Sequence, residues 1–150
     1  MDRRLAAILA LDMVGFSRLM EGDEEGILLR QNAHMSELIN PAITKNRGRV
    51  VKTTGDGLLA EFPSAVDAVV CAAEIQRAMP EREAHVPEDR RILYRIGINV
   101  GDIVFVDGDF YGDGVNVAAR IEPLADSGGI CVSQGVFNAV KNKAEVGFED

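Results

Sequence analysis

Two aspartates, Asp12 and Asp56, stand where an apolar run of the sequence gives way to polar residues. An unpaired charge is costly at such a position, and two neighbouring carboxylates raise each other's pKa by repulsion. A divalent cation removes this conflict, and Mg²⁺ favours one or two carboxylates completed by substrate phosphates. Asp56 also suits a turn and Asp12 a strand end, and the spacing alone favours this plainer interpretation.

Asn116 and Arg120 form a second candidate pair, because residues four apart share one face of a helix. Arginine presents a rigid fork of donors that suits a phosphate, and asparagine can orient a hydroxyl group. The pair could clamp an anion, although an ordinary solvated helix face explains these two residues better when they are taken alone. The opposite face is expected to be buried through Val117, Ala118, Ile121 and Leu124.

Four other polar residues carry no signal of their own. Lys52 lies in a predicted strand and Asp109 beside a glycine-rich turn, and a surface position is the plain expectation for both. His34 on a predicted helix and His85 in a polar segment are likewise expected at the surface, without a role.

The elements that must position these residues start with a strand. Residues 5–11 form an apolar run, which predicts a central strand over 4–11 that is covered on both faces. Residues 24–47 have helical periodicity, which Pro41 kinks or splits and which Gly48 ends at the C′ position. The apolar stripe of this helix comprises Met35, Leu38, Ile39 and Ala42.

A hairpin and a second helix come next. Two β-prone runs flank the glycines at 55 and 57, and Asp-Gly is a strong hairpin signal. Ser64, with Asp67 three residues later, predicts the start of a helix, and two prolines predict a loop over 80–91. The remaining predictions are strand material over 93–106, a turn over 108–114, a helix over 113–125, a strand over 130–133 and a helix over 134–143.

This order of elements predicts an α+β fold with a ferredoxin-like βαββαβ sheet, helices on one face and additions at the C-terminal end. The second strand of the hairpin then lies between the hairpin's first strand and the first strand of the chain. A right-handed crossover brings the hairpin tip to the sheet edge where the first strand ends. Asp12 and Asp56 are therefore expected to lie close together.

The composition limits the possible partners. The 150 residues suit one domain, and a net charge of −8 argues against nucleic acid, whose phosphates need a basic footprint. No run of 18 apolar residues is present, so a membrane span is not expected and the protein is expected in the cytoplasm, alone or as part of something larger. Cys71 and Cys131 lie in apolar runs and are expected to be buried and reduced.

Three segments together resemble the catalytic domain of class III adenylate and guanylate cyclases: ALDMVGFS (10–17), GRVVKTTGDGLLAEF (48–62) and YGDGVNVAARIE (111–122). The resemblance extends in order over nearly all of residues 1–150, and it reverses the plainer interpretations above. It implies that Asp12 and Asp56 bind two divalent metal ions, Mg²⁺ or Mn²⁺. It further implies a two-fold homodimer with active sites at the interface, to which one chain brings the metal ligands and the other the remaining residues.

The same resemblance implies roles for the other candidates. Lys52 and Asp109 match the pair that selects adenine, Asn116 matches the residue that orients the ribose, and Arg120 matches the transition-state arginine. A lysine can donate to adenine N1 and an aspartate can accept from the N6 amino group, whereas guanine presents the opposite pattern. The expected activity is therefore an adenylate cyclase, which forms cyclic AMP and pyrophosphate from ATP.

Two departures from the family pattern keep alternatives open. Asp102 follows Gly101 where many members carry a phosphate-binding arginine, and the family pattern continues through a further pair of strands that we expect this chain to lack. The alternatives are a catalytically silent, cyclase-like domain that binds nucleotide or regulates a partner, and a guanylate cyclase.

Overall fold

The computed structural model describes residues 2–143 and residue 147. Its strands are β1 (Asp2–Met13), β2 (Arg49–Thr53), β3 (Gly57–Phe62), β4 (Tyr94–Val106), β5 (Asp109–Tyr111) and β6 (Ile130–Val132). Its α-helices are α1 (Phe16–His34), α2 (Asn40–Lys45), α3 (Ala65–Arg82), α4 (Asp113–Ile121) and α5 (Gln134–Val140). A π-helical turn covers Met35–Ile39, and 3₁₀ turns cover Glu88–Arg90 and Glu122–Leu124. Within these described residues, no helix is both long and apolar enough to cross a membrane.

The sheet has the predicted topology. Its strands lie in the order β2-β3-β1-β4-β5 and pair antiparallel, while β6 runs parallel to β4. Strand β3 therefore separates β2 from β1, which confirms the ferredoxin-like arrangement of the first strand and the hairpin. Asp12 is the penultimate residue of β1 rather than its end, and it lies opposite Gly57 of β3.

The two faces of β1 support two separate hydrophobic clusters. Ala7, Leu9 and Leu11 face the cluster that also receives the buried side chains of α1, α2, α3 and α5. Ala6 and Ile8 face the other way and pack with Ala118 of α4. The helices of the βαββαβ core thus share one face, as predicted, and α4, one of the C-terminal additions, covers the other. A strand that is apolar on both faces requires cover on both.

Helix α1 starts earlier than the predicted residue 24. It begins at Phe16, directly after Gly15, whose φ of 61° lies in the left-handed region. The backbone leaves helical geometry at Asp23, with φ −165° and ψ 76°, and Asp23 Oδ1 accepts a hydrogen bond of 3.0 Å from Gly26 N. The helical periodicity becomes visible in the sequence only after this break.

Pro41 disrupts the helix, as predicted, by a change in the turn that precedes it. Because proline has no N–H to donate, the preceding turn widens into the π-helical segment Met35–Ile39, and Asn40 N donates to Met35 O. Helix α2 ends at Lys45, two residues before the predicted end. The left-handed C′ residue is Arg47, with φ 66°, rather than Gly48, whose N donates to Ile43 O at 2.8 Å.

Helix α3 begins as predicted and ends later. Ser64 Oγ accepts a hydrogen bond of 3.1 Å from Asp67 N, as the capping pattern indicates. The helix then continues to Arg82 with Pro80 in its last turn, so the first residues of the predicted loop over 80–91 are helical.

The helix predicted over 113–125 is α4 plus a 3₁₀ turn, and Leu124 is exposed rather than buried. Cys71 is buried as expected, whereas Cys131 is only partly buried, and both thiols are free.

A buried polar network joins α1 to α3 and contradicts the expectation of a surface histidine at position 34. His34 is 3% exposed, its Nδ1 accepts a hydrogen bond of 2.9 Å from Arg82 Nε, and its Nε2 lies 2.9 Å from Glu83 Oε2. Because an arginine can only donate, Nδ1 carries no proton and the Nε2–H donates to Glu83. Glu83 Oε1 also accepts a hydrogen bond of 2.7 Å from Ile92 N, just before β4.

This network predicts a loss of stability in mild acid. Burial lowers the pKa of His34 below its ordinary value of 6.5, although Glu83 opposes the shift. The unfolded chain therefore binds more protons, and the free energy of unfolding falls as pH drops through about 6.5 towards the folded-state pKa. Urea unfolding between neutral and mildly acidic pH should show a shallower fall for His34→Gln. His85→Gln, at an exposed position, is the matched control, and equal slopes for wild type and His34→Gln would contradict the assignment.

Candidate active site

The hairpin brings Asp12 and Asp56 together, as the predicted topology requires. Met13 N donates a hydrogen bond of 2.7 Å to Asp56 O, so the strand that carries Asp12 is fixed to the hairpin tip. Thr54 Oγ1 donates to Asp56 Oδ1 at 3.2 Å. Burial raises the pKa of Asp12, and the nearby charge of Asp56 raises it further. The two carboxylates therefore form an acidic pair at one edge of the sheet.

Glu122 is a third carboxyl group at this edge, which the sequence reasoning missed. It follows α4, is buried, and its carboxyl group forms a hydrogen bond with Asp12. Burial, and then the hydrogen bond and charge of Asp12, raise the pKa of Glu122 to about 8, while Arg95 opposes the shift. A pKa of about 8 favours the protonated form at neutral pH, and in that form Glu122 can donate to Asp12. The available signal was a charged residue directly after the apolar positions of α4.

The acidic pair fits a divalent metal site that a substrate completes. The described residues contain no group of three or more His, Cys, Asp or Glu side chains that could hold a metal by themselves. Asp12 and Asp56 offer carboxylate oxygens, the ligands that Mg²⁺ and Mn²⁺ prefer, and a cation would offset their repulsion. Ligands beyond these two would have to come from water or from the oxygens of a substrate.

The start of α1 adds a feature that favours anions beside this pair. The helix begins four residues after Asp12, and no side chain caps its first turn. Its first N–H groups therefore lack helical acceptors, and the positive end of the helix dipole lies with them. Such a helix start can bind a phosphate group. The sequence reasoning missed it, because the helix was predicted to begin only at residue 24.

Helix α4 presents Asn116 and Arg120 from a closely packed base. Asn99 Nδ2 donates a hydrogen bond of 3.2 Å to Gly114 O, and a Cβ at Gly101 would lie 2.8 Å from Gly114 Cα. The helix thus touches β4 backbone to backbone. Asn116 and Arg120 are exposed, and neither side chain forms a hydrogen bond or ion pair in the described part of the chain. They are available to a ligand but do not contact the acidic pair.

Lys52 and Asp109 lie on opposite edge strands of the sheet. Lys52 is exposed on β2, opposite Leu59, and Asp109 begins β5, where its Oδ1 accepts a hydrogen bond of 2.8 Å from Phe110 N. The end of β4 approaches β2: the guanidinium of Arg49 on β2 lies 4.8 Å from the centre of the Phe105 ring on β4. Lys52 and Asp109 do not form a hydrogen bond with each other in this structure, and their proposed pairing stays a prediction.

The comparisons with known proteins agree with this fold. The family described as "Adenylate and Guanylate cyclase catalytic domain" matches residues 3–150. The chain belongs to this family of nucleotide cyclase domains. The solved structure of an "Adenylate/Guanylate Cyclase/Hydrolase" from Silicibacter pomeroyi is 54% identical, with a TM-score of 0.93, over 99% of this chain and 87% of that one.

Two curated relatives are longer than this chain. "Putative adenylate cyclase 3" of Rhizobium meliloti (strain 1021) is 52% identical over 148 residues, which are 99% of this chain and 25% of that protein. An "Adenylate cyclase" of Streptomyces coelicolor is 36% identical over 134 residues, which are 87% of this chain and 32% of that protein. The chain therefore spans between a quarter and a third of the length of these relatives.

The close approach of β3 to β1 predicts a sharp difference between two glycines of the hairpin. A Cβ at Gly57 would overlap Leu11 O and lie 2.5 Å from Asp12 Oδ1, whereas a Cβ at Gly55 meets nothing within 4 Å. We expect Gly57→Ala to reduce the free energy of unfolding by at least about 2 kcal/mol. Gly55→Ala should change it by less than about 0.5 kcal/mol. Urea unfolding measures both, and equal stability of the two variants would exclude this packing constraint.

Proposed function

We propose that the chain is the catalytic domain of an adenylate cyclase, which converts ATP to 3′,5′-cyclic AMP and pyrophosphate as a homodimer. The observation that carries the proposal is the juxtaposition of Asp12 and Asp56 at one sheet edge. Membership of the cyclase family and the names of the relatives from Rhizobium meliloti and Streptomyces coelicolor support it.

Each proposed group has a distinct part in the reaction. Two divalent cations, held by Asp12 and Asp56, would lower the pKa of the attacking 3′-hydroxyl and neutralise the triphosphate. The uncapped N–H groups of α1 lie beside these carboxylates and can bind phosphate oxygens. Asn116 orients the ribose so that its 3′-oxygen attacks the α-phosphorus in line with the leaving pyrophosphate. Arg120 donates to the phosphoryl oxygens as charge develops, which is worth about 3 kcal/mol in the transition state.

Base selection rests on Lys52 and Asp109. Lys52 has a free ammonium group that can donate to adenine N1, and Asp109 keeps a second carboxylate oxygen that can accept from the N6 amino group. Guanine offers a donor at N1 and an acceptor at O6, so it would face like groups at both positions. This pattern favours ATP over GTP.

A homodimer is proposed because one chain does not assemble all of these groups. Within the described residues, Asn116, Arg120 and Lys52 make no contact with the acidic pair, although all three side chains are exposed. Val106 and Tyr111, at the ends of β4 and β5, are exposed apolar residues that a partner could cover. A second copy related by a two-fold axis would contribute Asn116 and Arg120 to the Asp12–Asp56 pair of the first.

Product analysis with ATP or GTP, and Mg²⁺ or Mn²⁺, tests the activity. We expect cyclic AMP from ATP, little cyclic GMP from GTP, and no cyclic product from Asp56→Ala. Cyclic GMP as the main product would favour a guanylate cyclase. The absence of any cyclic product from the folded chain, and from a longer chain that includes it, would favour a catalytically silent regulatory domain.

Mixing two inactive variants tests the composite site. Asp56→Ala removes a metal ligand and Arg120→Ala removes a donor from the other half, so each homodimer should lose at least about a hundredfold in rate. A mixed dimer carries both changes in one site and none in the other. Equal amounts should therefore recover about a quarter of wild-type activity. No recovery from variants shown to exchange subunits would place all of these residues in one chain.

Charge reversal at Lys52 tests base selection separately from folding. Lys52→Glu should reduce kcat/KM for ATP strongly, because a carboxylate repels the adenine N1 acceptor. The unfolding midpoint should hardly change, because the side chain is exposed and makes no ion pair in the part of the chain that is described. Normal ATP turnover by the folded variant would refute the role of Lys52.

A further inference from the structure

A cavity of about 470 Å³ lies on the helical face, and its lining includes none of the six side chains assigned above to metal, ribose, phosphate or base. Its walls are α1 around the break at Asp23 and the connection from α3 to β4 that contains the 3₁₀ turn Glu88–Arg90. This volume is within the range of sites that bind small organic molecules. Leu19, Ile27 and Val86, all buried, supply an apolar surface inside it.

Three arginines give the same cavity a cationic side. Arg18 Nη1 and Arg30 Nη2 each donate a hydrogen bond of 3.0 Å to a backbone carbonyl of the 3₁₀ turn, which fixes both guanidinium groups in place. Arg30 Nε is buried and donates no hydrogen bond, although it lies 3.4 Å from Glu83 Oε2. The side chain of Arg90 forms no hydrogen bond or ion pair with any described residue. The remaining N–H groups of Arg18 and Arg90 have no acceptor among the described residues, so they can bind an anion.

The carboxylates that line the cavity do not cancel this charge. Asp23 is engaged with Gly26 N, and Asp89 is exposed in the 3₁₀ turn. Glu83 lies behind the lining and pairs with Arg30 at 3.4 Å, whereas Arg18 and Arg90 form no ion pair with any described residue. Fixed guanidinium groups beside an apolar surface match a carboxylate that carries an apolar body.

We propose that this cavity is a binding site for a small organic carboxylate with an apolar body. The carboxylate pairs with the guanidinium groups of Arg18 and Arg90, and the body packs on Leu19, Ile27 and Val86. The side chain of Arg18 packs over Gly15, the residue that starts α1 next to the acidic pair. This site goes beyond the cyclase reaction, and its binding can be measured without nucleotide.

Titration of the isotope-labelled chain by NMR tests the proposal with three probes: phenylbutyrate, its neutral analogue phenylbutanol, and inorganic phosphate. Phenylbutyrate should shift the amide signals of Gly22, Asp23 and Val86, and it should bind about tenfold more tightly than either other probe. Equal binding of phenylbutanol or of phosphate, or shifts centred on Asp12 and Asp56, would overturn the proposal. Absence of phenylbutyrate binding at millimolar concentration would do the same.

Two arginine variants sharpen the test. Arg90→Gln removes a cavity charge from a side chain without partners in the described residues, so it should weaken phenylbutyrate binding several-fold without unfolding the protein. Arg3→Gln makes the same chemical change on β1, outside the cavity lining, and should leave the affinity as in wild type. Equal affinities of these two variants would exclude the assigned site.

Discussion

The antiparallel pairing of β1 with β3 is the constraint on which the rest of the site depends. At the position of Gly57 the two strands approach so closely that no side chain fits between them, and this approach sets Asp12 beside the hairpin tip. In the strand order β2-β3-β1-β4, the strand β2 with Lys52 lies on one side of the β3–β1 pair and β4 lies on the other. Electrostatics opposes the arrangement, because burial and mutual repulsion raise the pKa of the carboxyl groups. Backbone hydrogen bonds and apolar packing hold the acidic pair together against this repulsion.

The two faces of the sheet carry hydrophobic clusters of different size and role. The larger cluster, under α1, α2, α3 and α5, supplies most of the buried apolar surface and therefore most of the stability. The smaller cluster anchors α4 through Ala118, and its backbone contact with β4 fixes the helix that carries Asn116 and Arg120. The backbone of α4 is thus fixed, while the exposed side chains of Asn116 and Arg120 keep their donors available to a ligand.

The sequence predicted those features of the fold and the site that follow from the order of the elements along the chain. Alternating apolar runs, the Asp-Gly turn and the Ser64 cap predicted the strand order and the meeting of Asp12 with Asp56, and the structure agrees. It was less informative where a contact joins distant segments. The burial of His34 depends on Arg82 and Glu83 of another helix, and the importance of Glu122 depends on Asp12, which lies far away along the chain. Periodicity also does not predict that α4 covers the second face of the sheet, because that position depends on packing in three dimensions.

The π-helical turn before Pro41 has a consequence for the helical layer as a whole. A π turn holds one residue more than an α turn, so the chain behaves there as an α-helix with a single insertion. Each residue of an α-helix turns the following side chains by about 100°. The wide turn absorbs this extra residue, so α1 and α2 keep the angular relation of a continuous α-helix that lacks it. Ile27 and Ile43 therefore both face the larger core. If the same sequence were wound as a regular α-helix through Met35–Ile39, Ile43 would be turned by about 100° away from that core.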